Sequence, residues 1–367
     1  MAEKAIRLGG ESSAAAITQA VQELYPEHKF TEKEFARKNN ADEIALDSNF
    51  AAQSFWKDAL IRFFNKKSAV LGLILIVVIV ALAVLGPGMN AYTYSGQDLS
   101  QKNFAPRVPG IERLGILDGS EKMSTTTGTK VVNNYVDKGK TDVYYWFGSD
   151  LYGRDIWTRT WEGARVSLII ATAAAVIDMV IGMSYGLISG YFGGKVDMIM
   201  QRFLEVANGI PRLVIVTLLL LVLQPGMVTI IFALMLTEWV GMSRIARAEM
   251  LKLKDQEFVL ASRTLGAGSF FIIFKEVLPN IIGPIITQVM FSIPTAIFTE
   301  AFLSFVGLGI PVPQCSLGSL ISELYNSFTT HPYQIVPPIV VMSLLMLSFN
   351  LVADGLREAL DPKMKSM

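Results

Sequence analysis

Residues 243–279 read SRIARAEMLKLKDQEFVLASRTLGAGSFFIIFKEVLP. The stretch carries Arg244, Arg247, Lys252, Lys254, Arg263 and Lys275, and it lies between two long apolar segments. The chain is 51% hydrophobic and 17% charged, against about 25% charged in an ordinary soluble domain. In such a chain a basic stretch reads as a loop on the cytoplasmic side of a membrane. Its centre reads as two short helices about a glycine turn. Residues 255–265 put Phe258, Ala261 and Leu265 on one helical face, and Gly266 follows where a helix commonly ends in a left-handed residue. Ser269 suits the cap of a second helix made apolar by Phe270, Phe271, Ile273, Phe274 and Val277, with Pro279 closing it. An aromatic edge beside small residues suits a partner's groove. The alternative is a hairpin packed on its own membrane helices.

Outward from this loop the chain alternates between apolar and polar stretches. Residues 1–47 form a polar, alanine-rich segment without secretory pattern. Residues 48–67 read as an interfacial amphipathic helix, with Ser48 as N-cap and Phe50, Trp56, Leu60, Phe63 and Phe64 near helical spacing. Residues 68–86 carry no charge and span about 28 Å as a helix, close to hydrocarbon thickness. Arg62, Lys66 and Lys67 put the front of that span on the cytoplasmic side. Residues 87–163 form an external loop or small lobe, in which 143–147 (VYYWF) fits a strand or an interfacial belt.

The core covers residues 164–354. In 166–194 the single charge is Asp178, and Gly182, Gly186 and Gly190 recur at four-residue spacing, which lets two helices approach closely. Residues 213–237 are uncharged, with Gln224, Pro225 and Gly226 as a turn signal. Two spans, near 206–223 and 227–243, keep the basic stretches 195–212 and 243–279 on one side, as the positive-inside bias demands. Residues 281–299 and 332–353 supply two more spans, and 355–367 form a basic cytoplasmic tail. The pattern predicts an all-α integral membrane protein with six transmembrane helices and both termini cytoplasmic.

No GxxxxGK[ST], GxSxG or HExxH pattern occurs, so no catalytic residues are expected and any pumping must be powered by another subunit. Cys315, His28 and His331 stand in no metal-ligand spacing, so no metal site is expected. With 32 Lys+Arg against 32 Asp+Glu, the chain is no basic nucleic-acid binder. Asp178, Glu238 and Glu300 lie in or near the spans, and a carboxylate at that depth is a candidate for the substrate path.

EFVLASRTLG at 257–266 followed by IIFKEVLPN at 272–280 resembles the EAA loop of binding-protein-dependent ABC importer permeases, within the dipeptide/oligopeptide/nickel family. FGSDLYGRD at 147–155 with GARVS at 163–167, GYFGG at 190–194, EAFLSFVGLG at 300–309 and DGLREALDP at 354–362 resemble further landmarks of that family. Residues 53–86 are similar to the N-terminal region of its "C" type peptide permeases. Leu260 stands where the EAA consensus has Glu, and Glu276 stands where it has an apolar residue, while the Gly266, Leu278 and Pro279 frame is kept.

The resemblance implies a type I ABC importer-like fold in a bacterial cell membrane and uptake of short peptides. The partners it implies are a second homologous permease subunit, two cytoplasmic ATPase subunits that bind ATP and Mg, and an external solute-binding protein. This chain itself would bind no cofactor. The ATPases would dock through Glu257, Ala261, Ser262, Gly266, Ala267, Leu278 and Pro279. Nickel or another small solute is the alternative cargo. A membrane scaffold and an ion-coupled carrier using the three carboxylates are the alternative classes.

Overall fold

The structure is a computed structural model that describes residues 55–125 and 128–360. The segment 1–47, the cap at Ser48 and the tail beyond Leu360 lie outside the described residues. The chain divides into two units, 1–58 and 59–367, and the architecture below is that of the second.

A helix, α1 (Phe55–Asn65), precedes the first span, α2 (Lys67–Leu85), which ends in the tight turn Gly86–Gly88 where Pro87 removes a donor. A lobe between the first and second spans follows. Its hairpin pairs β1 (Ser120–Thr125) antiparallel to β2 (Gly128–Asn133), with Ser120 opposite Asn133, and the short helix α3 (Asn134–Asp137) comes next. Phe104, Tyr135 and Tyr145 form the lobe's core, with Phe104 and Tyr135 ring centroids 4.5 Å apart. Residues 143–147 form no strand. Tyr145 turns into that core, while Trp146 and Phe147 pack on Trp157.

The second span, α4 (Ile156–Phe192), begins ten residues before the expected 166. Asp155 caps it: Oδ2 accepts from the Thr158 N–H at 2.8 Å, Thr158 Oγ1 at 2.6 Å and Asn90 Nδ2 at 2.7 Å. One π turn, Asp178–Gly182, interrupts it. Beyond that turn the glycine stripe lies against the later helix α7 (Met227–Leu253). A Cβ on Gly186 would stand 2.1 Å from the Ser243 carbonyl oxygen, so the close approach expected from the four-residue spacing is present.

Next, α5 (Gly194–Gly209) and α6 (Arg212–Val222) meet at an 80° bend. The span expected near 206–223 is therefore a broken one, with 206–209 at the end of α5 and 212–222 in α6. Proline disfavours helical geometry in the residue before it, and Ile210, which precedes Pro211, is extended. At 11 residues, α6 is about 16 Å long, shorter than the hydrocarbon layer.

The helix α7 continues ten residues past the expected end at 243, so a third of the basic stretch is helical extension of a span. After α8 (Glu257–Thr264), one helix of 40 residues, α9 (Ser269–Leu308), runs through the expected terminus at Pro279. The π turn Ile272–Val277 leaves Pro279 in the first turn of the α-helical segment that follows, where a missing N–H needs no partner. A short helix, α10 (Leu317–Tyr325), with a capping box of Ser316 and Ser319, leads to the last span, α11 (Val336–Leu360).

Among the described residues five helices are long and apolar enough to cross a membrane, and six crossings result if the bent pair counts as one. Their shared core draws Ala83 from α2, Trp161 and Ala171 from α4, Ile230 from α7, Ile297 from α9 and Leu345 from α11.

Candidate functional site

The basic stretch folds into a helix and turn seated on the ends of two spans. Val259 of α8 is fully buried with Met242 and Met250 of α7, Leu187 of α4, and Ile272, Ile273 and Val277 of α9. This apolar cluster, rather than the turn's few hydrogen bonds, holds α8 in place. Leu265 N–H donates to Ala261 O and Ala267 N–H to Ser262 O, each at 3.0 Å, which ends the helix. Gly266 sits at φ +84°, in open space, so glycine is required there by backbone conformation and not by crowding. The turn's outer side is apolar and uncovered: Leu265 is 87% exposed, and Phe258, Phe270 and Phe271 are exposed beside it. Phe270 stacks on Phe274 at 6.4 Å, and Arg263 lies over the Tyr191 ring at 5.4 Å.

Of the expected docking residues, Glu257, Ala261, Ser262, Gly266 and Ala267 share this single unit. Glu257, Ala261 and Gly266 are exposed, and Ser262 and Ala267 are half-buried. Leu278 and Pro279 stand apart, beyond the π turn in α9, with Leu278 packed on the cluster beneath and Pro279 exposed.

The three carboxylates divide. Glu300 is 0% exposed and accepts from Ser316 Oγ at 2.5 Å, Ser304 Oγ at 2.8 Å and Ser167 Oγ at 3.1 Å. It joins α4, α9 and α10 from inside, enclosed by the three serines. Asp178 is 2% exposed, on the π turn of α4, and accepts from Ser292 Oγ of α9. Its Oδ1 has no hydrogen-bond partner among the described residues. Glu238, half-buried within α7, is in electrostatic reach of Asp178. These two come together, and Glu300 does not join them.

Sequence reading missed a buried ionic cluster at the lobe end of α4. Arg159 of α4, 0% exposed, donates to Asp150 Oδ2 at 2.8 Å and Glu323 Oε2 at 2.6 Å. Arg154 donates to the same Asp150 oxygen at 2.7 Å and also bonds Glu323. Burial opposes the charge on Glu323, but Arg159 and Arg154 outweigh it and hold its pKa below the ordinary glutamate value. Burial raises Asp155 next to this cluster above the ordinary aspartate range, against the bonds from Thr158 and Asn90. The only sequence signal was the density of charge in 147–155 just before an apolar run. Near the other end, Arg247 of α7 grips Asp197 of α5 through two bonds of 2.6 Å.

Residues 182–366 match the family described as the binding-protein-dependent transport system inner membrane component. Residues 54–106 match the N-terminal TM domain of oligopeptide transport permease C. The chain belongs to the binding-protein-dependent transport permease family. It is 40% identical over 330 residues to the oligopeptide transport system permease protein OppC of Bacillus subtilis, covering 90% of this chain and 95% of the relative. It is 41% identical over 328 residues to the dipeptide transport system permease protein DppC of Lactococcus lactis, covering 85% and 92%. A solved chain of the inward-facing MetNI methionine ABC transporter matches at 16% identity and a TM-score of 0.47, over 54% of this permease and 94% of that chain. As a family member, the permease is a multi-pass membrane component of a bacterial ABC-type transport system.

Proposed function

We propose that this permease is the "C" type membrane subunit of an ATP-driven importer of short peptides. The observation that carries the reading is the breadth of likeness to oligopeptide and dipeptide permeases, which covers 90% of the chain and includes the N-terminal domain characteristic of oligopeptide permease C. A second homologous permease completes the pathway, two cytoplasmic ATPases hydrolyse ATP with Mg, and an external binding protein delivers the peptide. This chain holds no cofactor and catalyses no reaction. Both termini lie in the cytoplasm, on the same side as the turn at Gly266.

The exposed apolar turn built from α8 and the start of α9 is the ATPase-docking surface, with Glu257, Ala261, Ser262, Gly266 and Ala267 at its face. A docked turn moved by the ATPases moves what is packed behind it, because Val259, Met250 and Ile273 share one buried cluster. Asp178 and Glu238 are the carboxylates for a peptide's amine in the pathway.

Uptake of a labelled peptide by the reconstituted complex, with and without ATP hydrolysis, tests this reading. ATP-dependent uptake is expected. Uptake without ATP would replace it with an ion-coupled carrier, and an intact complex that moves no peptide would replace it with a scaffold or a permease for another solute. Proline cannot adopt the φ of +84° at Gly266. Gly266→Pro is therefore expected to abolish ATPase association while leaving membrane insertion intact, and normal transport in that variant would remove the turn from the coupling.

A further inference from the structure

The lobe presents an exposed apolar surface separate from the turn at Gly266. Residues 106–119 form a closed turn. Val108 N–H donates to Leu117 O and Gly119 N–H to Pro106 O, each at 3.1 Å. Arg107 ties it down through Glu112 Oε2 and the Thr141 carbonyl, both at 2.6 Å. Leu117 is held at φ +53°, where a residue with a Cβ is strained. A turn fixed in this way points its apolar residues outward: Leu114 is 77% and Ile116 is 60% exposed, with Ile111 and Leu117 exposed beside them. Arg113, also exposed, shares the turn.

Beside the turn runs an open groove of about 500 Å³, lined by Val108, Leu117, Trp146, Phe147, Trp157 and Val336. Its depth in the membrane follows from its floor. Trp157 is the second residue of α4 and Val336 the first of α11, so the groove lies where two spans enter the hydrocarbon. The Trp157 Nε1 donates to the Gly86 carbonyl at 2.9 Å, at the external end of α2. Tryptophan, with an apolar body and one polar edge, favours that boundary. The groove is also continuous with the membrane-facing side of α11, since Val336 begins an exposed stripe that continues through Ile339, Val340 and Leu347.

We propose that residues 108–117 seat in the outer leaflet and that the groove takes an acyl chain of a membrane phospholipid, with Arg113 meeting its phosphate. A guanidinium suits a phosphate geometrically as well as by charge. The surface thus anchors the lobe at a fixed height over the spans.

The test uses the assembled transporter in nanodiscs of phosphatidylethanolamine and phosphatidylglycerol. Leu114→Cys and Ile116→Cys are labelled with a polarity-sensitive fluorophore, and Lys130→Cys on the exposed hairpin serves as the aqueous reference. Cys315 is buried and stays in place, with unsubstituted protein setting the labelling background. Nitroxide-bearing phospholipids are expected to quench the probes at 114 and 116 about twofold or more beyond the probe at 130, with aqueous iodide ranking them in reverse. Iodide quenching at 114 and 116 equal to that at 130 would overturn the proposal. So would shielding from iodide without lipid quenching, because the cover is then the second permease. Shielding that appears only when the external binding protein is added would assign the surface to that protein instead.

Discussion

At Gly186 a single hydrogen in place of a side chain decides how two spans meet. The Ser243 carbonyl occupies the space a Cβ would need, with the Ala246 side chain at 2.9 Å on another side. Gly186→Ala is expected to destabilise the permease by about 1–3 kcal/mol or more through overpacking, seen as a lower midpoint in thermal unfolding of the purified protein. Gly241, on α7, has open space around it. Gly241→Ala is expected to leave the midpoint unchanged or raise it, and equal losses in both variants would refute the close-approach account. The spacing of these glycines was legible because small residues four apart face one way on a helix. The facing of Glu300 was not. A carboxylate in an apolar run looks the same from sequence whether it meets a channel or three serines. Glu300→Ala removes the acceptor shared by the hydroxyls of Ser167, Ser304 and Ser316, and each lost hydrogen bond is worth about 0.5–1.5 kcal/mol, because Ser167 and Ser316 still accept from the Leu317 and Ser319 N–H groups. The expected outcome is lower stability with an unchanged transport KM. A raised KM at native stability would place Glu300 on the substrate path.

Elements were legible where hydrophobic periodicity set them and misread where proline was taken as punctuation. Pro279 was expected to end a helix and instead starts the regular part of one, because a π turn precedes it. Pro211, inside an apparently apolar span, does break the chain. The difference lies in what precedes each proline, and a π turn leaves no mark in hydropathy. The ionic cluster joining α4 to α10 was hidden for another reason: Arg159 and Glu323 are 164 positions apart.

That cluster predicts a pH dependence. The native pKa of Glu323 lies below its ordinary value of 4.5, so the folded state favours the ionised form. Its contribution is fully present above 4.5 and is lost as pH falls through the lower native value. Hydrogen exchange at the external ends of α4 and α10 should therefore accelerate over that acid range, less steeply in Glu323→Gln. Identical profiles for the two proteins would show that the pairing gives no such stability. On the opposite side of the membrane, Leu265→Asp is expected to weaken ATPase co-purification by tenfold or thereabouts, roughly the 1.4 kcal/mol of a lost apolar contact. Undiminished co-purification would place the contact elsewhere.

For the molecule as a whole, charge bias and span length carried most of the architecture. The first span runs Lys67–Leu85 against an expected 68–86, the last runs on to Leu360 past the expected 353, and the family landmarks at 147–155, 190–194 and 300–309 lie at a helix start, a turn and a helix end. The lobe's internal packing was beyond such reading, because it arises from contacts that composition does not encode. Orientation is open to direct measurement. A membrane-impermeant maleimide added to intact cells is expected to label Lys130→Cys on the lobe and to spare Lys195→Cys on the turn after α4, with lysis exposing the latter. The reverse pattern would invert the topology.

The continuity of α9 has one more consequence. From Ser269 to Leu303, before a second π turn and the kink at Gly307, about 1.5 Å per residue makes a rod of about 50 Å, beginning at the exposed phenylalanines and passing the serine clasp around Glu300 near its far end. A tilt imposed at Ser269 cannot dissipate in a loop. It must arrive at the far end as sideways displacement, pivoting about the packed middle of the rod, or be absorbed at its softer joints, the first π turn and the prolines at 284 and 294. If the turn at Gly266 is moved as proposed, the stiffness of those joints sets how much of that stroke reaches the far end of the helix, which makes Pro284 and Pro294 its gearing points.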